Sequence, residues 1–229
     1  MRHADGPPRQ GIIIRSPSRT DTSLTHVAHR RHRIRETESA RTAEPTYGRD
    51  VATDQPITIR PETRADRDEI AEVIERAFGS PDEARLVDAI RASDDYIAEL
   101  ALVATLQDTV VGQVMISKCA VVGDDTTTPA VMLSPLAVDP EHQRAGIGAL
   151  LVRTVADRAA DLGHPFVVLE GDPRYYSRFG FEPAARFGVK LPLPDWAPPE
   201  AAQLLRLHAN ASIPSGRAVY PDSFAVLDD

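Results

Sequence analysis

The sequence predicts an α+β (α/β three-layer) protein, in which a mixed, largely antiparallel sheet carries helices on both faces. Two β-rich runs, residues 98–106 and 110–118, are joined by a short Gln-Asp-Thr link that favours a hairpin. The almost wholly apolar run at 130–138 is typical of a strand in the centre of a sheet. Apolar side chains at helical spacing over 64–78 and 146–162 predict helices that cover this sheet.

The elements before residue 130 follow from local sequence signals. Residues 57–60 alternate apolar and polar side chains, which predicts a strand that Pro61 ends. Gly79 stops the helix at 64–78, and Pro81 opens a second helix at its first position. The apolar face of that second helix consists of Leu86, Val87 and Ile90.

The elements after residue 146 are marked in the same way. Gly163 ends the long helix at 146–162, and residues 166–169 form a short buried strand. The weaker patterns beyond it predict a short helix at 173–179, a loop at 192–199, and strands at 202–207 and 217–220.

Composition divides the chain into a tail and one folded domain. Residues 1–55 hold ten Arg, no Lys and seven acidic residues, for a net charge of +3. Such a segment has too few apolar side chains to offset its conformational entropy, so we expect a disordered Arg-rich tail. The alternatives are that its basic run binds a phosphate backbone, or that translation starts downstream and the tail is not made. Residues 56–229 hold 16 basic and 27 acidic groups, for a net charge of −11, and predict the domain.

Several protein classes are excluded or disfavoured by composition. No run approaches 18 apolar residues, so a transmembrane helix is excluded, and the N-terminus lacks the features of a secretory signal. We therefore expect a cytoplasmic protein. A single cysteine, Cys119, excludes an internal disulfide framework, and the histidines show no metal-ligand spacing, so we expect no metal. The overall charge of −8 makes a nucleic-acid partner a weak alternative.

The stretch between residues 133 and 148 carries the most chemical information. A buried strand ends at Val138, Asp139-Pro140 turns the chain, and the run Gln143-Arg144-Ala145-Gly146-Ile147-Gly148 enters the long helix. The first turn of a helix leaves backbone N–H groups unpaired and carries a partial positive charge. Glycines there allow close approach of an anion, and Arg144 adds a full charge. The pattern predicts a phosphate or pyrophosphate site, although it matches neither the Rossmann nor the P-loop glycine spacing.

Two motifs together resemble one enzyme family. Gln143-x-x-Gly146-x-Gly148, between a strand ending in Ala-Val-Asp-Pro and a long helix, resembles motif A of the Gcn5-related N-acetyltransferase (GNAT) superfamily. Residues 175–181, Tyr-Tyr-Ser-Arg-Phe-Gly-Phe, resemble its motif B ending, Tyr-x-x-x-Gly-Phe. The resemblance covers about residues 57–190, and the sequence around both motifs is similar to that of a bacterial, YhbS-like subgroup.

The resemblance implies a GNAT fold, in which two central strands splay apart and acetyl-CoA, the acyl donor, lies between them. The splayed strands would be those at 136–138 and 166–169, and Pro135 favours a bulge or an edge there. The resemblance assigns the pantetheine arm to Leu136, Ala137 and Val138. It assigns the phosphates to Gln143, Arg144, Ala145, Gly146, Ile147 and Gly148.

The same resemblance places Tyr176 at the family's general-acid position, where a phenol donates a proton to the leaving thiolate. Its alternative role is packing under the coenzyme, and Tyr175 is interpreted as packing or as a pocket wall. Glu170, at the end of the strand that borders the cleft, is the candidate general base; Glu99 and Asp172 are weaker candidates. The alternatives are a strand-end carboxylate with no catalytic role and an ordered water that takes the proton.

The implied function is an acetyl-CoA-dependent N-acetyltransferase that acetylates a primary amine directly. The partners are acetyl-CoA and an amine acceptor, either a small molecule or a protein, and the acidic domain favours a cationic one. The alternative is a non-catalytic acetyl-CoA-binding regulatory module, and a tail-mediated nucleic-acid function comes third. The sequence does not decide between a monomer and a homodimer.

Overall fold

The computed structural model describes residues 56–227, so the predicted disorder of residues 1–55 lies outside the described part of the chain. Nine strands and four α-helices are found in this range. The strands are β1 (Thr58–Pro61), β2 (Ala101–Leu106), β3 (Thr109–Val122), β4 (Thr127–Val138), β5 (Phe166–Glu170), β6 (Glu182–Pro183), β7 (Val189–Lys190), β8 (Ala202–Arg206) and β9 (Gly216–Val219). The helices are α1 (Arg67–Phe78), α2 (Asp82–Arg91), α3 (Ile147–Asp161) and α4 (Pro173–Tyr176).

All nine strands belong to one mixed sheet, which confirms the predicted fold class. The order along the main path is β1-β2-β3-β4-β5-β8-β6, and β9 pairs with both β3 and β7. The neighbours β4 and β5 run parallel, as do β7 and β9, while the other pairs are antiparallel. The predicted hairpin is β2–β3, and the apolar run at 130–138 lies centrally as β4.

The central strands β4 and β5 pair over a short stretch and then separate. Their register covers Val131 opposite Val167 and Met132 opposite Val168, after which β4 continues to Val138 without β5 as a partner. On its other side β4 stays paired with β3, with a register shift between the Val114–Leu136 and Ile116–Leu133 pairs. This shift contains the cis peptide Ser134-Pro135. The structure therefore has the predicted cleft and the bulge expected at Pro135.

Each face of the sheet carries its own apolar core. On one face, which we call the α1–α2 face, Ile70 and Ile74 of α1 and Ile90 of α2 pack against Met115 and Met132. On the opposite α3 face, Leu151, Val155 and Ala159 pack against Ile116 and Val167, among other residues. The helices within 56–227 are too short or too polar to cross a membrane.

Several element boundaries differ from those that the sequence predicts. Residues 64–66 form a 3₁₀ turn before α1. Asp66 stabilises this turn, because it accepts a hydrogen bond from the Thr63 N–H at 2.6 Å and forms an ion pair with Arg60. β3 extends to Val122 because both β4 and β9 pair with its last residues. The two-residue strands β6 and β7 are not predicted, since so short a segment carries no periodicity.

Candidate active site

The loop between β4 and α3 presents unpaired backbone amides to solvent. Arg144 and Gly146 have left-handed backbone conformations, with φ of 64° and 88°. Gly146 is the N-cap of α3 and provides no side-chain hydrogen bond to the helix. The Leu150 N–H donates to the Gly146 carbonyl at 3.0 Å, so the preceding amides of residues 147–149 have no acceptor within the helix. The loop thus has the form of an anion site, with Arg144, Ala145 and Gly146 exposed.

A buried carboxylate that the sequence analysis missed fixes the start of this loop. Asp139 is 2% exposed, forms an ion pair with Arg76 of α1, and accepts the Glu141 N–H at 2.9 Å. Gln143 uses its side-chain amide to donate to the Val138 carbonyl at 3.0 Å. The side chains of Asp139 and Gln143 therefore shape the loop, and its backbone and Arg144 are left to face a ligand.

The two glycines of the loop have different structural causes. No heavy atom lies within 4 Å of a Cβ built on Gly146, so its φ of +88° is what requires glycine. A Cβ on Gly148 would lie 2.5 Å from the hydroxyl of Tyr175. Both glycines are predicted to allow the approach of an anion, and for Gly148 the structure adds a steric reason, because a side chain occupies the space of the missing Cβ. In this structure the space is filled by a tyrosine of the same chain.

The edge of β4 that faces the cleft is formed by the three residues predicted for the pantetheine arm. Leu136, Ala137 and Val138 pair with Val114, Gln113 and Gly112 of β3. The opposite backbone edge of these three residues does not pair with β5, because β5 has already separated from β4. Leu136 and Ala137 are buried, and Val138 is half-buried. A backbone edge without a strand partner can hydrogen-bond an extended ligand.

Tyr176 lies at the end of α4, on the α3 face. The side chain is 1% exposed, and its ring would lie 2.4 Å from a Cβ on Gly171, so that glycine makes room for it. Its ring meets those of Tyr175 and Phe181 edge-on, with centroids 5.0 and 5.5 Å away. Burial raises the pKa of the Tyr176 phenol well above its usual range, so it is a neutral hydrogen-bond donor at physiological pH.

Glu170 is the last residue of β5 and lies on the opposite, α1–α2 face. Its side chain alternates with that of Leu169, which belongs to the α3 face, and the residue is 6% exposed. Burial raises the pKa of the Glu170 carboxyl to about 7, although a hydrogen bond donated by the Tyr220 hydroxyl lowers that pKa in part. A carboxyl group with a pKa near 7 exchanges protons readily at neutral pH.

The other predicted candidates take structural positions. Asp172 is the N-cap of α4, where its side chain accepts the Arg174 N–H at 2.8 Å, and Glu99 lies in an exposed 3₁₀ turn. Cys119 is buried, and burial raises the pKa of its thiol to about 12. Among residues 56–227, no three His, Cys, Asp or Glu side chains are grouped as metal ligands.

The fold agrees with what comparison with known families finds. The family model for the acetyltransferase (GNAT) domain matches residues 58–184, more than half of the chain. The chain belongs to the GNAT acetyltransferase family. It is therefore an acyltransferase of the class that depends on acetyl-CoA.

Two Escherichia coli K12 proteins are similar in sequence. The uncharacterized N-acetyltransferase YhbS is 38% identical over 135 residues, which are 58% of this chain and 78% of YhbS. The uncharacterized N-acetyltransferase YjhQ is 34% identical over 122 residues, covering 53% of this chain and 67% of YjhQ. Both matches agree with the YhbS-like subgroup that the motifs indicate.

Two crystal structures are similar in fold. The E. coli YhbS structure in complex with CoA superposes with a TM-score of 0.67 at 34% identity, covering 74% of this chain and 92% of YhbS. A GNAT family acetyltransferase from Brucella melitensis in complex with acetyl-CoA gives a TM-score of 0.59 at 28% identity, covering 74% and 99%.

Proposed function

We propose that this protein transfers an acetyl group from acetyl-CoA directly to a primary amine, with Glu170 as general base and Tyr176 as general acid. One observation carries the proposal. Glu170 and Tyr176 are near each other in sequence, and their side chains lie on opposite faces of the sheet. Both are found where β5 separates from β4. A donor held in that cleft would have a proton acceptor on one side and a proton donor on the other.

The proposed donor site follows the cleft from the α3 loop inward. The amides of Ile147 and Gly148, with Arg144, bind the pyrophosphate, since a helix N-terminus attracts phosphate oxygens. The open edge at Leu136, Ala137 and Val138 binds the amides of the pantetheine arm. Supporting this placement, YhbS and the Brucella enzyme were crystallised with CoA and acetyl-CoA, respectively.

The proposed chemistry begins with deprotonation of the acceptor. A lysine-like ammonium has a pKa near 10.4 and is mostly protonated at neutral pH, so it must lose a proton before it attacks. Glu170 takes that proton. The amine nitrogen then forms a bond to the thioester carbonyl carbon, the tetrahedral intermediate collapses, and the carbon–sulfur bond breaks. The nitrogen loses its second proton as the intermediate collapses, Tyr176 donates its proton to the departing thiolate, and the Tyr176 phenolate regains a proton from that nitrogen through water. The products are an amide, the free thiol and one proton, which passes from Glu170 to solvent.

The proposed acceptor approaches from the α1–α2 face, because the carboxyl of Glu170 lies there. Tyr220 is a positioning residue in this scheme. It follows β9, and its ring packs beside Phe224, with the centroids 5.3 Å apart. By donating to one carboxylate oxygen of Glu170, Tyr220 leaves the other oxygen to face the amine. The acceptor is a small molecule or a protein side chain, and the net charge of −11 over 56–229 would attract a cationic one.

Calorimetric titration with acetyl-CoA tests the donor half of the proposal. Ala145→Glu places a carboxylate beside the loop amides, at an exposed residue whose backbone needs no special conformation. We expect tight binding to the wild type and a loss of at least about tenfold in the variant, since like charges oppose each other there. Ala185→Glu, at an exposed position outside the loop, is the matched control.

A screen of amines for release of the free thiol tests the catalytic half. With any accepted amine, Glu170→Gln should lower kcat by about 10²–10⁴-fold, while acetyl-CoA affinity is unchanged. Glu99→Gln, at an exposed carboxylate, should be active. Binding of acetyl-CoA with no amine acetylated would favour the regulatory module instead.

A further inference from the structure

Three buried polar side chains of the central strands have no hydrogen-bond partner. We call them the polar patch: Gln113 and Ser117 of β3, and Ser134 of β4. They are 0%, 0% and 1% exposed, and within residues 56–227 neither amide atom of Gln113 and neither serine hydroxyl is hydrogen-bonded. Buried polar groups in folded proteins are nearly always paired, because an unpaired group loses its hydrogen bonds to water without replacement. Three such side chains close together therefore indicate a polar ligand.

Strand alternation places the β3 members of the patch on the α1–α2 face. Val114 and Ile116 belong to the core of the α3 face, and Met115 between them belongs to the core of the α1–α2 face. Gln113 and Ser117 each lie two residues from Met115, so their side chains share its face.

Ser134 continues the patch onto β4. Leu133 belongs to the core of the α3 face, so the next side chain, that of Ser134, points to the α1–α2 face. Ser134 lies two residues after Met132, which is the partner of Ser117 in the register of β3 and β4. The patch therefore spans two neighbouring strands on one face of the sheet.

Ser134 borders the cleft directly across from Glu170. Met132 and Val168 form the last pair between β4 and β5 before these parallel strands separate. Ser134 and Glu170 each lie two positions further along their strands, so they are the first side chains beyond the pairing on the α1–α2 face. Paired strands are about 5 Å apart, and the cleft widens from that distance. A ligand that reaches the Glu170 carboxyl thus has the Ser134 hydroxyl on its other side.

The side chains of the patch select an uncharged polar group. A hydroxyl or a carboxamide both donates and accepts hydrogen bonds, which matches a hydroxyl group of a ligand. The aliphatic stem of a lysine side chain would leave these buried atoms unpaired. A site that hydrogen-bonds a substrate hydroxyl discriminates strongly against analogues without it.

We propose that the polar patch binds a hydroxyl group of the acceptor through Ser134, so that the acceptor is a small hydroxylated amine and not a lysine of a protein. The inference rests on the proposed function, in which Glu170 takes the proton of the amine. The spacing across the cleft places the hydroxyl about two to four carbons from the nitrogen.

Steady-state kinetics with matched pairs of amines test this subsite. In each pair a methyl group replaces the hydroxyl: ethanolamine with propylamine, propanolamine with butylamine, and butanolamine with pentylamine. We expect the wild type to prefer at least one amino alcohol over its methyl counterpart by about tenfold or more in kcat/KM. An N-acetylated lysine amide, which represents a protein acceptor, should be a poorer substrate than that amino alcohol.

Substitution of Ser134 separates recognition of the hydroxyl from other causes of that preference. In Ser134→Ala the ratio of kcat/KM within the preferred pair should fall by at least about tenfold, mainly through a higher KM for the amino alcohol. This change in ratio is independent of the different pKa values of the two amines, because the same compounds are compared in both proteins. Ser134→Cys, which keeps a weak donor, should give an intermediate ratio. Ser212→Ala, at an exposed serine between β8 and β9, should retain the wild-type ratio.

Denaturant unfolding shows whether the Ser134 hydroxyl serves only the fold. Ser134→Ala removes a polar group with no partner among residues 56–227, so its unfolding midpoint should equal or exceed that of the wild type. A clearly lower midpoint would show that the hydroxyl is bonded within the protein, and would overturn the inference.

The kinetic outcomes distinguish failure of this inference from failure of the proposed function. If amines are acetylated but Ser134→Ala leaves the ratio unchanged, or slows both members of the pair equally, the subsite is wrong and the proposed function stands. The same holds if the lysine derivative is the best substrate. If the wild type binds acetyl-CoA and acetylates none of these amines, the proposed function fails and the subsite fails with it.

Discussion

The hydroxyl of Tyr220 donates a hydrogen bond to the buried carboxyl of Glu170, across 50 positions of sequence. A hydrogen bond to the ionised form favours that form, so Tyr220 holds the pKa of Glu170 below the value that burial alone would give. This relationship joins the C-terminal segment to the strand end at which we place the acceptor amine, and its loss has a defined consequence.

Tyr220→Phe should move the acidic limb of the pH–rate profile to higher pH. The wild type needs ionised Glu170, so its kcat/KM should rise with pH through about 7. Without the phenol the pKa of Glu170 rises, and activity at pH 7 falls but is recovered at higher pH. The measurement is kcat/KM against pH for any accepted amine. An unchanged limb with a uniformly lower rate would mean that Tyr220 serves only to pack the C-terminal segment.

Stability should depend on pH through the same carboxyl. Its pKa is about 7 in the folded protein against a reference value of 4.5, so the folded state favours the protonated form. The contribution to stability is complete below pH 4.5 and is lost as the pH rises through about 7, amounting to about 3 kcal/mol. Glu170→Gln should therefore be flatter than the wild type in free energy of unfolding over this window. Denaturant unfolding at pH 4.5 and pH 8 measures the difference, and parallel curves would contradict it. Glu99→Gln should follow the wild type.

Tyr176→Phe should lower kcat by about tenfold, less than is typical of a general acid, because a thiol with a pKa near 8.5 already leaves readily. Acetyl-CoA affinity should be nearly unchanged, since the ring and its packing against Phe181 remain. Steady-state kinetics with calorimetry separates the two effects. A large loss of affinity at unchanged kcat would assign Tyr176 to coenzyme packing instead.

The features that could be predicted from the sequence each lie within one continuous segment of the chain. The loop residues from Gln143 to Gly148 form one local motif, and a strand and a helix on either side fix where their amides point. Glu170 was predictable because it ends a strand whose apolar run is plain in the sequence. The central position of β4 followed from its uninterrupted apolar composition.

The missed residues act through contacts between distant parts of the chain. Arg76 and Asp139 are 63 positions apart, and neither side chain carries a local signal for the other. The register of β9 on β3, which brings Tyr220 to Glu170, depends on pairing between strands that lie far apart in sequence. Such pairings depend on tertiary packing, which periodicity within one segment does not report.

The contact between Tyr175 and Gly148 gives a prediction that a pair of substitutions can isolate. Gly148→Ala puts a methyl group 2.5 Å from the Tyr175 hydroxyl, so we expect a loss of about 1–3 kcal/mol in free energy of unfolding from overpacking. Removing the hydroxyl removes the clash, because the ring carbon that carries it lies 3.7 Å from the same Cβ, an ordinary contact. In a Tyr175→Phe background, Gly148→Ala should therefore cost nothing or stabilise α3 by about 0.5 kcal/mol, since alanine is the better helix former.

Denaturant unfolding of the wild type, both single variants and the double variant completes this cycle. We expect a coupling energy of at least about 1 kcal/mol between the two sites, as found for side chains in direct contact. Gly146→Ala is the contrasting control. Its cost arises from a φ of +88° with open space around the Cβ position, so Tyr175→Phe should leave that cost unchanged. Additive effects at Gly148 and Tyr175 would show that the hydroxyl moves aside freely, and that the tyrosine does not fix the first turn of α3.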